Sequence, residues 1–319
     1  MSGWNKAFLR MSEFAEAASG QTGAPISRIV HTVNPFPAPA GSDHDRAQRV
    51  TFASMTRARK AADILAPGLT IDFAAVTLEK TVETPGIRFD RHHRLKRDIG
   101  DLKRFKKPRR LPLAFDILSA PVVEAGDLFV FTNVDIALTP GFYGFLAALF
   151  AHGADAAVIN RRTISGGYNG PDDLALMDAE IGEPHPGFDC FAFRGSFRDK
   201  LIPYESCVGI GGVMLPLVHM ILAMAERPVI LTDAHQTFHL GDDRTWETSA
   251  FADYQAHNWA ETDRVFAEPT RDPVRRDRLL ARLEHRHADW VYPRRLREHT
   301  PPPPPPGLLT RARRALHLS

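Results

Sequence analysis

The run from Leu128 to Phe131 constrains the fold of this chain most strongly, because four consecutive apolar residues predict a strand buried on both faces. Polar residues follow at once, at Thr132, Asn133 and Asp135. A buried strand that ends in a carboxylate places that carboxylate at the edge of a sheet. Ligands bind at this carboxyl edge in open α/β sheets. The stretch therefore predicts a sheet protein whose functional site lies just after this strand.

Predicted strands and helices alternate on both sides of this run. Residues 26–33, 45–64 and 69–78 predict a strand, a helix and a strand, which is the right-handed βαβ unit of a parallel sheet. Further short apolar strands are predicted downstream, over residues 155–160, 189–193 and 229–232. We therefore expect an α/β fold with an open, mixed and mostly parallel sheet that is flanked by helices.

The composition divides the chain into three parts. Residues 1–25 predict a helical N-terminal extension, and residues 26–270 predict the main α/β domain. Residues 271–319 predict a charged helix, over 274–290, followed by a Pro-rich basic tail. The uninterrupted prolines at 301–306 favour polyproline II, which does not join a packed core.

The overall composition is ordinary for a globular protein, with 44% hydrophobic and 24% charged residues among 319. No apolar run approaches the roughly 20 residues that span a bilayer. The N-terminal stretch lacks the apolar segment of a signal peptide. The two cysteines, Cys190 and Cys207, cannot build a disulfide framework and favour reduced thiols. We therefore expect a cytoplasmic protein.

Basic residues concentrate in two regions, although the net charge is only +2. Residues 88–110 hold eleven Lys and Arg against three Asp, and residues 271–319 hold twelve Arg against five acids. Such regions predict anionic partners, either phosphate groups or an anionic membrane contacted peripherally at its inner surface. No nucleic acid is expected. A solvated basic face is the alternative for the C-terminal region.

Asn133 and Asp135 stand at alternate positions, so both side chains can leave the same face of the chain and converge on one ligand. Oxygen ligands of this kind suit Mg²⁺ or Mn²⁺ held together with a substrate diphosphate. An aspartate that only caps a turn is the alternative.

The segment Phe131-Thr-Asn-Val-Asp-Ile136, with the order of elements over residues 26–245, resembles the GT-A nucleotide-sugar-dependent glycosyltransferases. The resemblance implies a Rossmann-like GT-A fold in which a βαβ unit binds the nucleotide. A short Asp-x-Asp loop then holds a metal ion and the sugar diphosphate. Asp135 matches the last acid of that loop and would bind the metal. Asn133 departs from the pattern at the first acid, so the dependence on a metal stays open.

Two later residues are similar to functional residues of that family. His239, which follows a strand-like stretch, matches the histidine that some members supply as an extra metal ligand, and imidazole suits Mn²⁺ better than Mg²⁺. Asp189, at the start of an apolar strand, matches the carboxylate that deprotonates the acceptor hydroxyl in inverting members. An aspartate that accepts hydrogen bonds from a turn is the equal alternative for Asp189.

The resemblance also implies contacts with the nucleotide. Arg109 and Arg110 precede an apolar helix predicted over residues 111–120, where unpaired backbone N–H groups favour anions, and Asp116 lies in that helix. His31 and Asn34, at the end of the first strand, would lie beside the base and the ribose. Additional candidates for contact with the diphosphate are Arg161, Arg162, Asp242, Asp243 and Arg244.

The leading hypothesis is a glycosyltransferase that moves a sugar from a nucleotide-diphosphate donor to a hydroxyl acceptor, assisted by a metal and with inversion. Two alternatives stay open. A non-catalytic α/β module would bind an anionic partner through the basic residues, and the neutral Asn133 favours that reading. A nucleotidyltransferase would share the sheet and would also need a metal at Asp135, because one fold serves several chemistries.

Overall fold

Two β-sheets and the helices around them form the fold, in a computed structural model that describes residues 6–185, 187–241 and 249–284. The strands are, in chain order, β1 (Phe8–Leu9), β2 (Arg28–Val33), β3 (Thr70–Thr77), β4 (Arg91–Arg94), β5 (Leu128–Thr132), β6 (Ala137–Leu138), β7 (Ala156–Ile159), β8 (Arg162–Ile164), β9 (Glu183–Pro184), β10 (Cys190–Arg194), β11 (Pro228–Leu231) and β12 (Thr237–Leu240). The helices are α1 (Met11–Ala18), α2 (Asp43–Leu65), α3 (Ala114–Ser119), α4 (Phe142–Ala151), α5 (Leu174–Ala179), α6 (Gly195–Arg198), α7 (Leu215–Met224), α8 (Ala252–Thr270) and α9 (Pro273–Glu284).

The larger sheet has eight strands among the described residues, in the order β1-β11-β7-β10-β5-β2-β3-β4. Strand β10 is antiparallel to both of its neighbours, β5 and β7, and every other pair in this sheet is parallel. The predicted open, mixed and mostly parallel sheet is therefore confirmed. A smaller sheet, with the order β6-β12-β8-β9, lies beyond the carboxyl end of β5.

The βαβ unit at the start of the sheet follows from the sequence. Ser42 caps α2, and its hydroxyl accepts a hydrogen bond of 3.2 Å from the backbone N–H of Asp45. The apolar face of α2 is buried at Val50, Met55 and Ala58. Met55 and Ala58 belong to the same core cluster as Ile29 of β2 and Phe73 of β3, and α2 connects these two parallel strands, as the pattern predicts.

Strand β5 lies between β2 and β10, and all five of its residues are buried. It runs parallel to β2, with Val130 opposite His31, and antiparallel to β10, with Thr132 opposite Cys190. Because β10 is antiparallel, it begins where β5 ends. The residues before β10 therefore stand beside the residues after β5, at the carboxyl edge of the sheet.

The structure adds an edge strand to the basic segment, which the sequence predicts as a loop with short helical pieces. Arg91–Arg94 form β4 beside β3, and a 3-10 turn follows at Ile99–Asp101. The Arg-His-His-Arg run carries no apolar residue. An edge strand tolerates this composition, because its side chains alternate between partly buried and exposed positions. Its pairing depends on β3 and not on its own hydrophobicity.

At the N-terminus, α1 follows β1, which pairs with β11 at the far edge of the larger sheet. At the other end, α9 occupies the first part of the predicted 274–290 helix. The rest of that helix, the prolines at 301–306 and the basic tail lie outside the described residues. Among the described helices, none has both the length and the apolar character that a membrane span needs.

Gly195, at the start of α6, packs closely against the loop before β5, and a substitution there tests this packing. A Cβ on Gly195 would stand 2.0 Å from the carbonyl oxygen of Glu124, so the backbone must move to admit it. We expect Gly195→Ala to lower the free energy of unfolding by about 1–3 kcal/mol, measured by urea denaturation. Gly126→Ala, in the same loop with nothing within 4 Å, is the control and should change it by less than about 0.5 kcal/mol. Equal effects of the two substitutions would contradict this packing.

Candidate functional site

Asp135 and His239 meet at the carboxyl edge of the sheet. A turn closed by the backbone bond from Ile136 N–H to the Asn133 carbonyl (3.1 Å) follows β5 and carries Asp135. The next two residues of the chain form β6, which pairs antiparallel with β12, the strand that contains His239. This pairing brings the Nε2 atom of His239 to 3.4 Å from Oδ2 of Asp135.

The hydrogen bond on the other side of the His239 ring fixes which nitrogen faces Asp135. Nδ1 lies 2.8 Å from the carbonyl oxygen of Gly241, and a carbonyl can only accept, so Nδ1 carries the proton. The lone pair of a neutral imidazole would therefore sit on Nε2, toward the Asp135 carboxylate. Histidines that bind metals in proteins commonly donate their second ring N–H to a backbone carbonyl in this way.

The residues present fit a divalent cation that shares its coordination with a substrate. The Oδ1 atom of Asp135 is buried and has no hydrogen-bond partner among the described residues. One carboxylate and one imidazole would then supply the protein ligands. The described residues contain no group of three or more His, Cys, Asp or Glu side chains arranged for a metal. Further oxygens would have to come from a bound diphosphate and water, which is common for Mg²⁺ and Mn²⁺.

The two side chains shift each other's pKa. Burial opposes the charge on Asp135, but the hydrogen bond and the charge of His239, with the charge of Arg161, lower the pKa of the Asp135 carboxyl overall. Burial also opposes the charge on His239, but the bond to Asp135 and the charge of that carboxylate raise the pKa of the imidazole overall. A cation that binds at Nε2 must therefore displace a proton, so its affinity should rise with pH.

A cavity of about 260 Å³ opens beside this pair. The first turn of α2 forms one wall, because α2 follows the first strand of the βαβ unit and therefore begins at the carboxyl edge. The backbone after β8 and at the end of β12 forms the other walls. The lining residues are Asp43, His44, Arg46, Ala47, Asp135, Gly166, His239, Leu240 and Gly241. No motif marks the α2 residues as part of the site, although a helix that follows the first strand begins at this edge.

The side chain and the backbone of Asn133 both bind Asp189. Its amide nitrogen donates a hydrogen bond of 2.9 Å to Oδ1 of Asp189, and its backbone N–H donates to the Asp189 carbonyl at 3.2 Å. An aspartate at position 133 would bring two carboxylates into contact. The neutral residue at the first acidic position of the Asp-x-Asp-like loop therefore has a physical reason in this chain.

Arg161 holds the other oxygen of Asp189. Its Nη1 atom donates a bond of 2.7 Å to Oδ2 of Asp189, and its Nη2 atom lies 3.2 Å from Nε2 of His185. The Arg161 side chain is only 12% exposed, and its charge acts on both Asp135 and His239. The next residue, Arg162, is buried, and it donates to backbone carbonyl groups around α5, because successive residues of a strand face opposite sides.

Two residues predicted to contact the nucleotide lie inside the fold instead. The ring of His31 is fully buried, with Nδ1 at 2.7 Å from the Tyr143 hydroxyl and Nε2 at 2.9 Å from the Thr132 hydroxyl. Burial lowers the pKa of His31 to about 3, so the ring is neutral. The amide of Asn34 donates a bond of 2.5 Å to the carbonyl of Val76. His31 therefore stabilises the core, and Asn34 ties β2 to β3.

Arg109, Arg110 and Asp116 take part in contacts apart from the Asp135–His239 pair. The guanidinium of Arg109 lies 4.7 Å above the ring of Phe251, and the guanidinium of Arg110 forms ion pairs with Asp98 (2.8 Å) and Glu79 (3.2 Å).

Asp116 accepts two hydrogen bonds, of 2.8 and 2.9 Å, from the guanidinium of Arg97. The structure therefore brings Asn133, Asp135, Asp189 and His239 together, while Arg110 and Asp116 form ion pairs elsewhere and Arg109 contacts Phe251. Asp242, Asp243 and Arg244 lie outside the described residues.

Solved structures with a similar backbone include two complexes with uridine nucleotides. Residues 1–349 of S. aureus TarS, in complex with UDP-GlcNAc, align with a TM-score of 0.48 at 10% identity, over 81% of this chain and 72% of that one. Glucosyl-3-phosphoglycerate synthase from Mycobacterium tuberculosis, in complex with Mg²⁺ and UDP, aligns with a TM-score of 0.37 at 17% identity, over 75% and 80%. No protein-family model and no curated protein matches the sequence.

The Asp135–His239 pair predicts a specific pH dependence in the cation-free protein. The raised pKa of His239 stabilises the fold below the ordinary imidazole pKa of about 6.5, and this contribution is lost as the pH rises through the raised value. The lowered pKa of Asp135 stabilises the fold above the ordinary carboxyl pKa of about 3.9, and this contribution is lost as the pH falls through the lowered value.

An NMR titration of the His239 ring in EDTA measures this coupling. We expect the wild-type ring to titrate above about 6.5 and the ring in Asp135→Asn to titrate below it, because burial then acts without the opposing carboxylate. An unchanged titration in Asp135→Asn would show that the two side chains are not coupled.

Proposed function

We propose that this protein is a glycosyltransferase that moves a sugar from a nucleotide-diphosphate donor to a hydroxyl acceptor. The observation that carries the proposal is the geometry of the Asp135–His239 pair. An unpartnered carboxylate oxygen and an imidazole nitrogen, oriented by the Gly241 carbonyl, stand together beside a cavity at the carboxyl edge of a mostly parallel sheet. A divalent cation and a sugar diphosphate are the ligands that suit this chemistry.

Each charged residue of the site has a role in this proposal. Asp135 and His239 would hold the cation, which when bound would neutralise the charge that develops on the leaving diphosphate. Arg161 adds a fixed positive charge that is mostly shielded from water, so its effect on nearby negative charge is less screened than at the surface. Asn133 is a positioning residue that holds the carboxylate of Asp189.

Asp189 is the proposed general base for a single displacement with inversion. Its carboxylate is bonded to Asn133 and Arg161, and each carboxylate oxygen has a second lone pair that can accept the acceptor hydroxyl. Among the described residues, Asp135 is the other carboxylate of this cluster, and the cation would occupy it. Asp189 would then be the carboxylate of this cluster that the cation does not occupy, and we assign it the role of base because no second such carboxylate is placed as a nucleophile among the described residues.

Metal-dependent donor binding is the first test. The protein would be screened against UDP-, GDP- and ADP-sugars by thermal shift and by release of nucleoside diphosphate, with Mn²⁺ and with EDTA. We expect one donor class to stabilise the wild type only with the cation, and Asp135→Asn to lower kcat/KM by about 10²–10³-fold. Asp178→Asn, which breaks an ion pair with Arg57 away from the site, is the control and should keep donor binding.

The outcomes separate the alternatives. A nucleotidyltransferase would instead join a nucleoside triphosphate to a sugar phosphate, so release of pyrophosphate from that pair of substrates would assign this activity. If no nucleotide sugar binds under either condition, the proposal fails and a non-catalytic binding module remains.

The role of Asp189 has its own test once a donor and an acceptor are known. We expect Asp189→Asn to lower kcat by about 10²–10⁴-fold, because proton transfer to the base is lost, while the KM for the donor changes little. NMR of the first-formed product should show the anomeric configuration opposite to that of the donor. Retention of configuration, or a kcat within threefold of wild type, would remove Asp189 from this role.

A further inference from the structure

We propose that the basic loop, residues 103–110, is a docking surface for the anionic headgroups of a phospholipid membrane. The loop contains six Lys or Arg residues and no acid. Arg110 is paired with Asp98 and Glu79. The other five are exposed and make no ion pair with any residue that the structure describes: Lys103, Arg104, Lys106, Lys107 and Arg109.

The backbone of the basic loop is held from the inside by α8. Phe105 is buried, and its ring stacks on Tyr254 with centroids 3.9 Å apart and planes at 6°. The Tyr254 hydroxyl donates to the Lys107 carbonyl and accepts from the Arg109 N–H, both at 2.9 Å. Because the loop is already fixed, docking would require little ordering of its backbone, which favours binding through many weak contacts.

The composition of the basic loop favours a membrane over a nucleic acid. Single-stranded nucleic acids bind to surfaces that combine cations with exposed aromatic rings on which the bases stack. Phe105 is the aromatic residue of this loop, and it faces inward against Tyr254. Three of the five unpaired cations are lysines, whose compact charges suit a diffuse layer of headgroups. Clusters of four to eight basic residues are the pattern that binds anionic leaflets.

The position of the basic loop relates it to the candidate site. Arg110 pairs with Glu79, which follows the carboxyl end of β3, and β2 and β5 end at the same edge of the sheet. The basic loop therefore begins its contacts with the sheet at the carboxyl edge, which is the edge that also carries Asp135. The proposal rests on the basic loop alone and holds whether or not the protein transfers sugars.

Vesicle binding tests the proposal with the full chain. Flotation would compare vesicles of phosphatidylcholine with vesicles that contain phosphatidylserine, at low and at high salt. We expect binding to the anionic vesicles only, and a loss of binding at high salt, because screening shortens the range of the attraction. Substitution of Lys103, Lys106 and Lys107 by Gln should weaken binding by roughly 100-fold, at roughly fivefold for each basic residue near an anionic surface.

A matched triple variant keeps the same change in net charge. Lys6, Lys60 and Lys200 are exposed lysines elsewhere on the protein, and their substitution by Gln should leave vesicle binding within about threefold of wild type. The proposal is overturned if the wild type does not bind anionic vesicles or if the two triple variants weaken binding equally. It is also overturned if millimolar inorganic phosphate removes the bound protein while sodium chloride at the same ionic strength does not, or if an oligonucleotide binds the protein more tightly than the anionic vesicles do, since either result would assign a soluble ligand.

Discussion

The antiparallel pairing of β10 with β5 is the constraint on which the candidate site depends. Strand β5 is buried along its whole length, and a slip of one residue would exchange the side chains of its two faces: Leu128 and Val130 belong to the main core cluster, and Phe129 contacts Phe193. Thr132 stands opposite Cys190, and the next backbone bond joins Asn133 to Asp189. The pairing of β5 with β10 thus decides which polar residues meet just beyond the buried part of the two strands. The fixed register places the carboxylate of Asp189 beside the loop that carries Asp135.

The charged side chains of the site hold one another in place through ion pairs. Asp135 pairs with His239 and Asp189 pairs with Arg161, and each of these side chains is at least partly shielded from water. Partial burial makes an unpaired charge unfavourable, so each group is held by a partner of opposite sign or by an amide. At position 133 an acid would repel Asp189, whereas the amide of Asn133 donates a hydrogen bond to it. Although Asn133 replaces the first acid of the loop, Asp135 still has one carboxylate oxygen without a partner among the described residues.

Local sequence patterns predict the frame well. The βαβ unit, the buried strand β5 and the mostly parallel sheet all follow from apolar runs and helix caps, which act over a few residues. Strand β4 was missed because a polar edge strand has no apolar signature of its own. His31 lies in the core and not at the predicted nucleotide contact, because β2 is buried on both faces and the hydroxyls of Tyr143 and Thr132 bond the ring.

Side-chain partners were harder to predict than strands. Arg109, Arg110 and Asp116 stand near the predicted anion-binding helix start. Their partners, however, come from other parts of the chain. Asp116, for example, accepts a hydrogen bond from Arg97. The first turn of α2 contributes to the cavity although no motif marks it. Such choices depend on which groups meet across the fold, and the sequence spacing does not contain that information.

The sequence by itself determined where the central strand lies, which residues leave it at the carboxyl edge, and that the fold is an α/β sheet, because burial and turn chemistry act locally. Only the tertiary structure decided that His239 reaches Asp135, that Asn133 binds Asp189, and that Arg161 faces the site while Arg162 does not. The reason is that these contacts come from pairings between strands that are distant in the chain. The pairing of β6 with β12 and of β5 with β10 is set by the packing of the whole sheet.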